Sequence, residues 1–216
     1  MKKLLLFALI LLLFYPSTDV LAASPVWSQT YAGSGDNSDA FNKIAADGSG
    51  NFLAVGYTEV SGKYKDMLVV KYNSAGDTLW VRTFNGLNNA DDMAISVVAD
   101  GSGNVLVTGL SDGGNSNNDI VTLKYDSNGN LLWTAAWNSP ASLDDVPVAI
   151  ATDAGGNVLV GGNAEPDTFS GSTDYITLKY SASGSLQWSQ LFSRAGVSNG
   201  KDALSGLVTD ANGDVY

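Results

Sequence analysis

The stretch Asp100–Trp133, DGSGNVLVTGLSDGGNSNNDIVTLKYDSNGNLLW, decides the fold because the chain contains it three times. The other two copies are DGSGNFLAVGYTEVSGKYKDMLVVKYNSAGDTLW at Asp47–Trp80 and DAGGNVLVGGNAEPDTFSGSTDYITLKYSASGSLQW at Asp153–Trp188. A fourth copy opens at Asp210 as DANGDVY. Repetition of this kind predicts a fold made of like units, each packed on its neighbours.

Independent markers keep one spacing through the copies. Tryptophan recurs at intervals of 53, 53 and 55 residues, at Trp27, Trp80, Trp133 and Trp188. The aspartate that opens each copy and a Lys-Tyr pair in its middle recur with the tryptophans. A period of this size, filled with strand-like segments, favours a β-propeller blade over a helical solenoid. We therefore predict one repeat domain over residues 23–216, with units that begin at the four tryptophans.

Four strands, which we label a to d, are predicted in the first complete unit. Apolar alternation and turn residues place them at Ala40–Ala46, Phe52–Tyr57, Asp66–Asn73 and Thr78–Phe84. Thr58–Lys65 is predicted as the loop between strands b and c. Both faces of strand c are substantially apolar, as expected of a sheet that lies between two others.

The predicted fold class is all-β, a β-propeller of four-stranded antiparallel blades with three complete blades in an incomplete, open ring. Val26–Tyr31 is predicted as a lone strand d, and Ala203–Thr209 as strand a of a partial fourth blade. A ring needs about four to eight blades, so the sequence is typical of the front part of a longer protein. The lone strand is suited to completing the last blade of a full ring. The open array is expected to expose an edge that is at risk of pairing with other chains.

The repeat resembles the bacterial beta-propeller repeat family known as SBBP. The resemblance rests on Asp100, Gly103-Asn104, Asp119–Tyr125 and Gly129–Trp133, and it extends over Trp27–Tyr216. It implies an exported propeller without a defined activity, and it brings no catalytic residues to this chain.

The first 22 residues are predicted to be a secretory signal peptide. Lys2 and Lys3 give a basic start, Leu4–Phe14 an apolar run, and Val20–Ala22 a cleavage site. The apolar run is too short to span a bilayer comfortably, so no membrane span is expected after cleavage. We expect a periplasmic, cell-surface or extracellular protein. The sequence has no cysteine, which excludes disulfides and the lipid anchor of a lipoprotein.

Charge limits the classes of partner. The chain has 11 basic and 22 acidic residues and a formal net charge of −11. This deficit of Lys and Arg argues against nucleic acid, whose phosphates need neutralising, and against docking on anionic lipid. The partner is predicted to be an unknown protein or a glycan, bound by the loops that vary between units, 58–65, 111–118 and 163–173.

Acidic residues recur just before each strand a, at Asp39, Asp92, Asp145 and Asp202. If strand a lies nearest the axis, these carboxylates ring the channel mouth, where they would form a cation site, for example for Ca²⁺, or hold a basic ligand. In the alternative, each accepts hydrogen bonds from loop amides at the strand start, and no cofactor is needed. The Asp-Gly-Ser-Gly-Asn loops lack the spacing of an EF-hand and are predicted to be turns.

Other recurring residues have structural explanations. The tryptophans are predicted to pack between blades, with an aromatic sugar platform as the alternative. A lysine recurs in strand c, next to an aspartate of the same strand, and is predicted to form ion pairs within or between sheets rather than a phosphate site. The lysines are Lys71, Lys124 and Lys179, and the aspartates Asp66, Asp119 and Asp174.

Catalysis has few candidate groups. Without His or Cys, the chain cannot build a histidine triad, a thiol nucleophile or an imidazole zinc site. Paired carboxylates occur at Asp91-Asp92 and Asp144-Asp145, but neighbouring residues of a strand point opposite ways. The favoured hypothesis is an exported, non-catalytic scaffold. The alternatives are a non-catalytic part of a larger carbohydrate-active or other hydrolytic enzyme, and a calcium-stabilised structural module.

Overall fold

The computed structural model describes residues 26–33, 38–60, 64–114, 117–165, 173–192, 202–210 and 213–216. The predicted signal peptide lies outside the described residues. Within the described part of the chain every regular element is a β-strand. None of these residues belongs to a helix with the length and hydropathy needed to cross a bilayer.

Twelve strands form three antiparallel sheets of four, which we call sheets 1, 2 and 3. The strands are β1 (Asp39–Ala46), β2 (Phe52–Val60), β3 (Tyr64–Tyr72), β4 (Thr78–Phe84), β5 (Met93–Ala99), β6 (Val105–Asp112), β7 (Asn118–Tyr125), β8 (Leu131–Trp137), β9 (Asp145–Thr152), β10 (Val158–Ala164), β11 (Asp174–Tyr180) and β12 (Leu186–Phe192). Strands pair in chain order within each sheet. The all-β prediction and the four-stranded unit are confirmed.

The loops between the second and third strands are shorter than predicted. In sheet 1, pairing continues through Thr58 opposite Asp66 to Val60 opposite Tyr64. The predicted loop Thr58–Lys65 is therefore wrong in its length. Thr, Val and Tyr favour extended backbone, and each has a partner across the hairpin, so the ladder runs on.

Two predicted strands are wrong. Val26–Tyr31 has no strand pairing, and Ala203–Thr209 contributes only an isolated bridge between Thr209 and Val215. A strand needs a hydrogen-bonded neighbour for its backbone groups. Among the described residues, no strand lies beside 26–31 to pair with it. Residues 203–209 have only 213–216 beside them, so the ladder there stops at one bridge.

The sheets pack face to face on two apolar cores. Between sheets 1 and 2 the core includes Leu53, Met67, Val107 and Leu123, all fully buried. A second core, which includes Leu106 and Leu178, joins sheets 2 and 3. The first strand of each sheet is central to this packing: β5 contacts β1, β2 and β3, and β9 contacts β5, β6 and β7.

A β-bulge and a glycine bring the first two strands of each sheet unusually close. The register shifts between Phe41 and Lys43 in β1, between Ala94 and Ser96 in β5, and at the equivalent point of β9. Opposite the bulge stands a glycine in each sheet, namely Gly56, Gly109 and Gly162. A Cβ on Gly109 would lie 2.3 Å from the carbonyl oxygen of Met93. Only glycine allows this approach of two backbones.

We predict that Gly109→Ala destabilises the protein by about 1–3 kcal/mol, because the new methyl group must push β5 away. Gly101→Ala is the matched control, since a Cβ there meets nothing within 4 Å and its φ is not positive. Urea unfolding followed by circular dichroism measures both. Equal midpoints for the two variants would contradict the close approach.

Candidate functional site

An indole from the last strand of one sheet packs on the turn between the third and fourth strands of the next. The Trp80 ring lies 6.1 Å from the Tyr125 ring, and its Nε1 donates to the carbonyl of Ser127 at 3.1 Å. Gly129 lies beneath the ring, where a Cβ would be 2.8 Å from the indole. Trp133 repeats this geometry on Tyr180, Ala182 and Gly184. The tryptophans therefore pack between sheets, as the sequence predicted.

The first and last sheets differ in this indole contact. Trp27 packs on sheet 1 as the others pack on sheets 2 and 3, with its Nε1 3.2 Å from the carbonyl of Ser74. Thus Val26–Tyr31 keeps the side-chain contact of a fourth strand although it is not one. Trp188 has no following turn among the described residues and remains 41% exposed, whereas Trp80 is 8% exposed.

Replacing Trp80 with Ala is expected to cost about 3–5 kcal/mol, because a buried indole is removed from the junction of sheets 1 and 2. The matched control is Trp188→Ala, which removes the same side chain from a half-exposed position. Chemical denaturation should show a large loss for the first variant and a small one for the second. Similar losses would contradict the junction role of Trp80.

A buried ion pair lies at one end of each sheet. Lys71 Nζ contacts Asp47 Oδ2 at 3.0 Å, and Lys124–Asp100 and Lys179–Asp153 repeat the pair at the same distance. The lysine series thus forms ion pairs within its sheets, as predicted. Its partners are the aspartates that open the repeats rather than the aspartates just before it in the third strand.

The aspartate of this pair also organises the turn between the first two strands. Asp47 Oδ1 accepts the amides of Ser49 and Asn51, and Oδ2 accepts the side-chain amide of Asn51 as well as the lysine. Burial raises the pKa of Asp47, but these hydrogen bonds outweigh it and lower the pKa to about 2. The carboxylate is therefore ionised in the folded protein at all but strongly acidic pH.

Lys71→Met is expected to cost about 3–5 kcal/mol near neutral pH, since it leaves Asp47 buried and unpaired. The folded pKa of Asp47 lies below the ordinary value of 3.8, so its stabilisation is present above pH 3.8 and is lost as the pH falls through about 2.

The wild type should therefore lose stability between about pH 4 and pH 2, and Lys71→Met should lose less over that range. Thermal melts at several pH values test this, with the exposed Lys43→Met as the control. The hypothesis fails if the melting temperature of Lys71→Met falls as steeply with acid as that of the control.

The end of the sheets that holds these ion pairs is uniform, and we call it the uniform rim. It consists of the turns that follow the first and third strands. Asp100 and Asp126 each accept amides two and four residues further on, at 2.8–2.9 Å. Every described turn of this type has a positive-φ glycine, such as Gly103 and Gly129. These hydrogen bonds explain the recurring Asp-Gly-Ser-Gly-Asn sequence as turn chemistry.

The opposite end carries the loops that differ between repeats, and we call it the variable rim. It consists of the loops between the second and third strands and the loops that link one sheet to the next. Hydrogen bonds join the two kinds of loop, from Asn88 to the carbonyl of Asp112 at 3.0 Å and from Asn117 to the carbonyl of Ser142 at 2.7 Å. Most of the third variable loop, residues 166–172, lies outside the described residues.

Strain and exposed apolar groups are found on the variable rim. Asn89 and Ser142 have φ values of 47° and 51°, and they are the described non-glycine residues with positive φ. Both lie in loops that link sheets. Leu87 is 96% exposed and Tyr64 is 50% exposed on the same rim. The uniform rim also exposes apolar side chains, such as Leu79 at 50%, so the strained linking loops are the feature that sets the variable rim apart.

The predicted acidic series also lies on this rim, and the carboxylates of three of its members accept local hydrogen bonds. Asp39, Asp92 and Asp145 accept the amides of Gly33, Gly86 and Ser139 at 2.8, 2.6 and 2.6 Å. This is the amide-bonded alternative that the sequence left open. The backbone amide of Asp202 donates to the carbonyl of Thr173 at 2.9 Å. Among the described residues, no group of three or more acidic side chains is placed to hold a metal ion.

A hydroxyl group accompanies each of these three carboxylates, but its position in the sequence changes. Thr58 donates to Asp39 at 2.6 Å, and Ser111 lowers the pKa of Asp92 against the stronger effect of burial. In the third repeat the equivalent strand position is Ala164, and the nearby hydroxyl is that of Ser139, which donates to the carbonyl of Glu165 at 3.2 Å. A Cβ on the corresponding Gly33 or Gly86 would collide with the hydroxyl of the first two repeats, at 2.4 and 2.2 Å. The sequence did not predict that the hydroxyl near the carboxylate would come from a different position in the third repeat.

The adjacent carboxylates have separate partners. Asp91 accepts the amide of Lys65 at 3.0 Å and pairs with its ammonium at 3.4 Å, while Asp92 accepts from Gly86. Asp144 likewise accepts the amide of Asn118 at 2.8 Å while Asp145 accepts from Ser139. The two carboxylates of each pair are thus directed to different elements and do not form a paired acid–base site.

Comparison with known proteins gives two distant relatives, and no family model matches the chain. The chain is 27% identical over 199 residues to Regulatory protein FlaEY of Caulobacter vibrioides, covering 77% of this chain and 20% of that protein. It is 26% identical over 151 residues to an uncharacterised WD repeat-containing protein of Acanthamoeba polyphaga mimivirus, covering 58% and 10%. The chain thus spans about a fifth and a tenth of the lengths of these relatives.

Proposed function

We propose that the chain is a non-catalytic β-propeller scaffold of an exported protein, and that it binds a protein or glycan through its variable rim. The observation that carries the binding surface is the contrast between the rims. The uniform rim repeats the same turns and the same buried ion pair, whereas the variable rim changes from repeat to repeat on a constant frame.

The propeller is supported by the repeated junction. Three sheets stack by the same indole contact, and their first strands pack on one another. The two ends of the stack of sheets carry opposite halves of the same contact. At the first end, Trp27 packs on sheet 1 from a segment that is not a strand, and at the other end Trp188 of sheet 3 has no turn over it among the described residues. A relative that contains WD repeats, which form four-stranded propeller blades, agrees with this proposal.

A binding role follows from the chemistry of the rim. Leu87 and Tyr64 offer apolar contact area, on a rim whose loops are held in place by the hydrogen bonds of Asn88 and Asn117. Such a surface suits a polypeptide or a sugar, both of which combine apolar and hydrogen-bonding groups. The name of the Caulobacter relative, a regulatory protein, is compatible with binding to another protein.

The test is a glycan array probed with the full chain and two variants. We expect Leu87→Ser combined with Tyr64→Ser to abolish binding, because the apolar contacts of the rim are removed. Leu79→Ser is the matched control, since Leu79 is half-exposed like Tyr64 but is the second residue of β4, next to the uniform rim. Binding that survives the double variant but is lost in a folded Trp133→Ala variant would contradict the rim assignment.

Binding to a protein partner is tested by photo-crosslinking with the full chain. A photo-reactive amino acid in place of Leu87 is expected to capture the partner, whereas one in place of Leu79 is not. Capture from position 79 alone would place the interface elsewhere.

A further inference from the structure

We infer that the junctions between sheets take up protons in mild acid, and that this uptake stabilises the stack of sheets. The groups that take up the protons are Asp92 and Asp145, which lie at the starts of the first strands of sheets 2 and 3. It is independent of the ligand of the variable rim and of the completeness of the ring.

Both side chains are buried with an oxygen that lacks a partner. Asp92 is 1% exposed and Asp145 is 0% exposed. One oxygen of each carboxylate accepts a loop amide at 2.6 Å. Within the described part of the chain, Oδ1 of each has no hydrogen bond of good geometry. The Ser111 hydroxyl lies near Asp92 and lowers its pKa without outweighing burial, and the Ser139 hydroxyl donates to the carbonyl of Glu165 at 3.2 Å. A buried, unpartnered carboxylate oxygen is costly when it is charged and much less so when it is protonated.

The charged groups around Asp145 are acidic. Asp119 on β7 of the preceding sheet raises its pKa through electrostatic repulsion, in addition to the larger effect of burial. The neighbouring Asp144 is bonded to Asn118, and Glu165 after β10 contributes a backbone hydrogen bond that lowers the pKa. Together these effects raise the pKa of Asp145 to about 6.

The same arrangement occurs one junction earlier. Burial raises the pKa of Asp92, and Asp91 and Asp112 add to it. Asp66 on β3 in turn has its own pKa raised, first by burial and then by Asp92. The nearest described lysine on these elements, Lys65, pairs with Asp91. Neighbouring carboxylates that repel one another thus follow each other across both junctions.

A proton fits this site better than a metal ion. Ca²⁺ takes six to eight oxygen ligands, and the described residues include no group of three acidic side chains arranged around one point. A proton on Oδ1 removes one negative charge without requiring further ligands. Since the folded pKa lies above the unfolded value, the stabilisation is complete below about pH 4 and is lost as the pH rises through about 6.

The experiment compares urea unfolding of the full chain at pH 5 and pH 7.5, with and without millimolar CaCl₂. For the wild type we expect the folding equilibrium constant to be about tenfold larger at pH 5 through Asp145 alone. Asp145→Asn should remove most of this difference. Asp39→Asn is the matched control at the same repeat position, because both oxygens of Asp39 have partners, and it should keep the wild-type difference.

A pH difference that persists in Asp145→Asn, or its absence in the wild type, would overturn the inference. Stabilisation at pH 7.5 by calcium that disappears in Asp145→Asn would overturn it in favour of a cation site. If Asp145→Asn does not fold, the carboxyl carbon of Asp145 can be titrated by NMR in the wild type labelled with ¹³C-aspartate. A midpoint near 6 supports proton uptake, and one near or below 4 contradicts it.

Discussion

The contact between an indole and the glycine turn of the next sheet is the constraint on which the stack depends. Trp80 reaches Gly129 and the carbonyl of Ser127, and Trp133 reaches the equivalent turn one sheet later. The indole ring packs between the two sheets, and its N–H donates to a carbonyl of the turn. The third repeat is two residues longer than the others, yet the contact at Trp133 is unchanged. The extra residues lie between Asp153 and Lys179, in the part that contains the variable loop.

The two rims solve the problem of buried polar groups differently. At the uniform rim each buried aspartate has a lysine at 3.0 Å and several amides, which keeps it charged and holds the turn. At the variable rim Asp92 and Asp145 have amides but no lysine partner among the described residues, and burial dominates their pKa values. The buried charges of the uniform rim are therefore neutralised by their partners, and its turns have little freedom to change. The other keeps uncompensated charge and loops that vary, which is where a ligand or a change of pH can act.

The strands, their order and the packing faces were predictable because alternation and turn residues act locally. Contacts that depend on the third dimension were not. The partner of Lys71 is Asp47, across the sheet, rather than Asp66 five residues before it. The need for Gly109 follows from a bulge that has no sequence signal of its own. Val26–Tyr31 has the alternation of a strand, but strand structure also requires a neighbour, which alternation cannot show.

Stability is expected to be lowest at sheet 3, because each sheet is held mainly by the faces that its neighbours cover. Sheet 2 is covered on both faces, and the outer face of sheet 1 is covered by Val26–Tyr31. On sheet 3, Leu204 and Leu207 approach Gly161 of the second strand, but β12 is mostly exposed. The last strand of sheet 3 is therefore the segment that opens at the lowest free energy among the described strands. A further sheet that covered Trp188 with a turn of the same kind would remove this weakness. Only in a closed ring would every repeat gain the same two junctions.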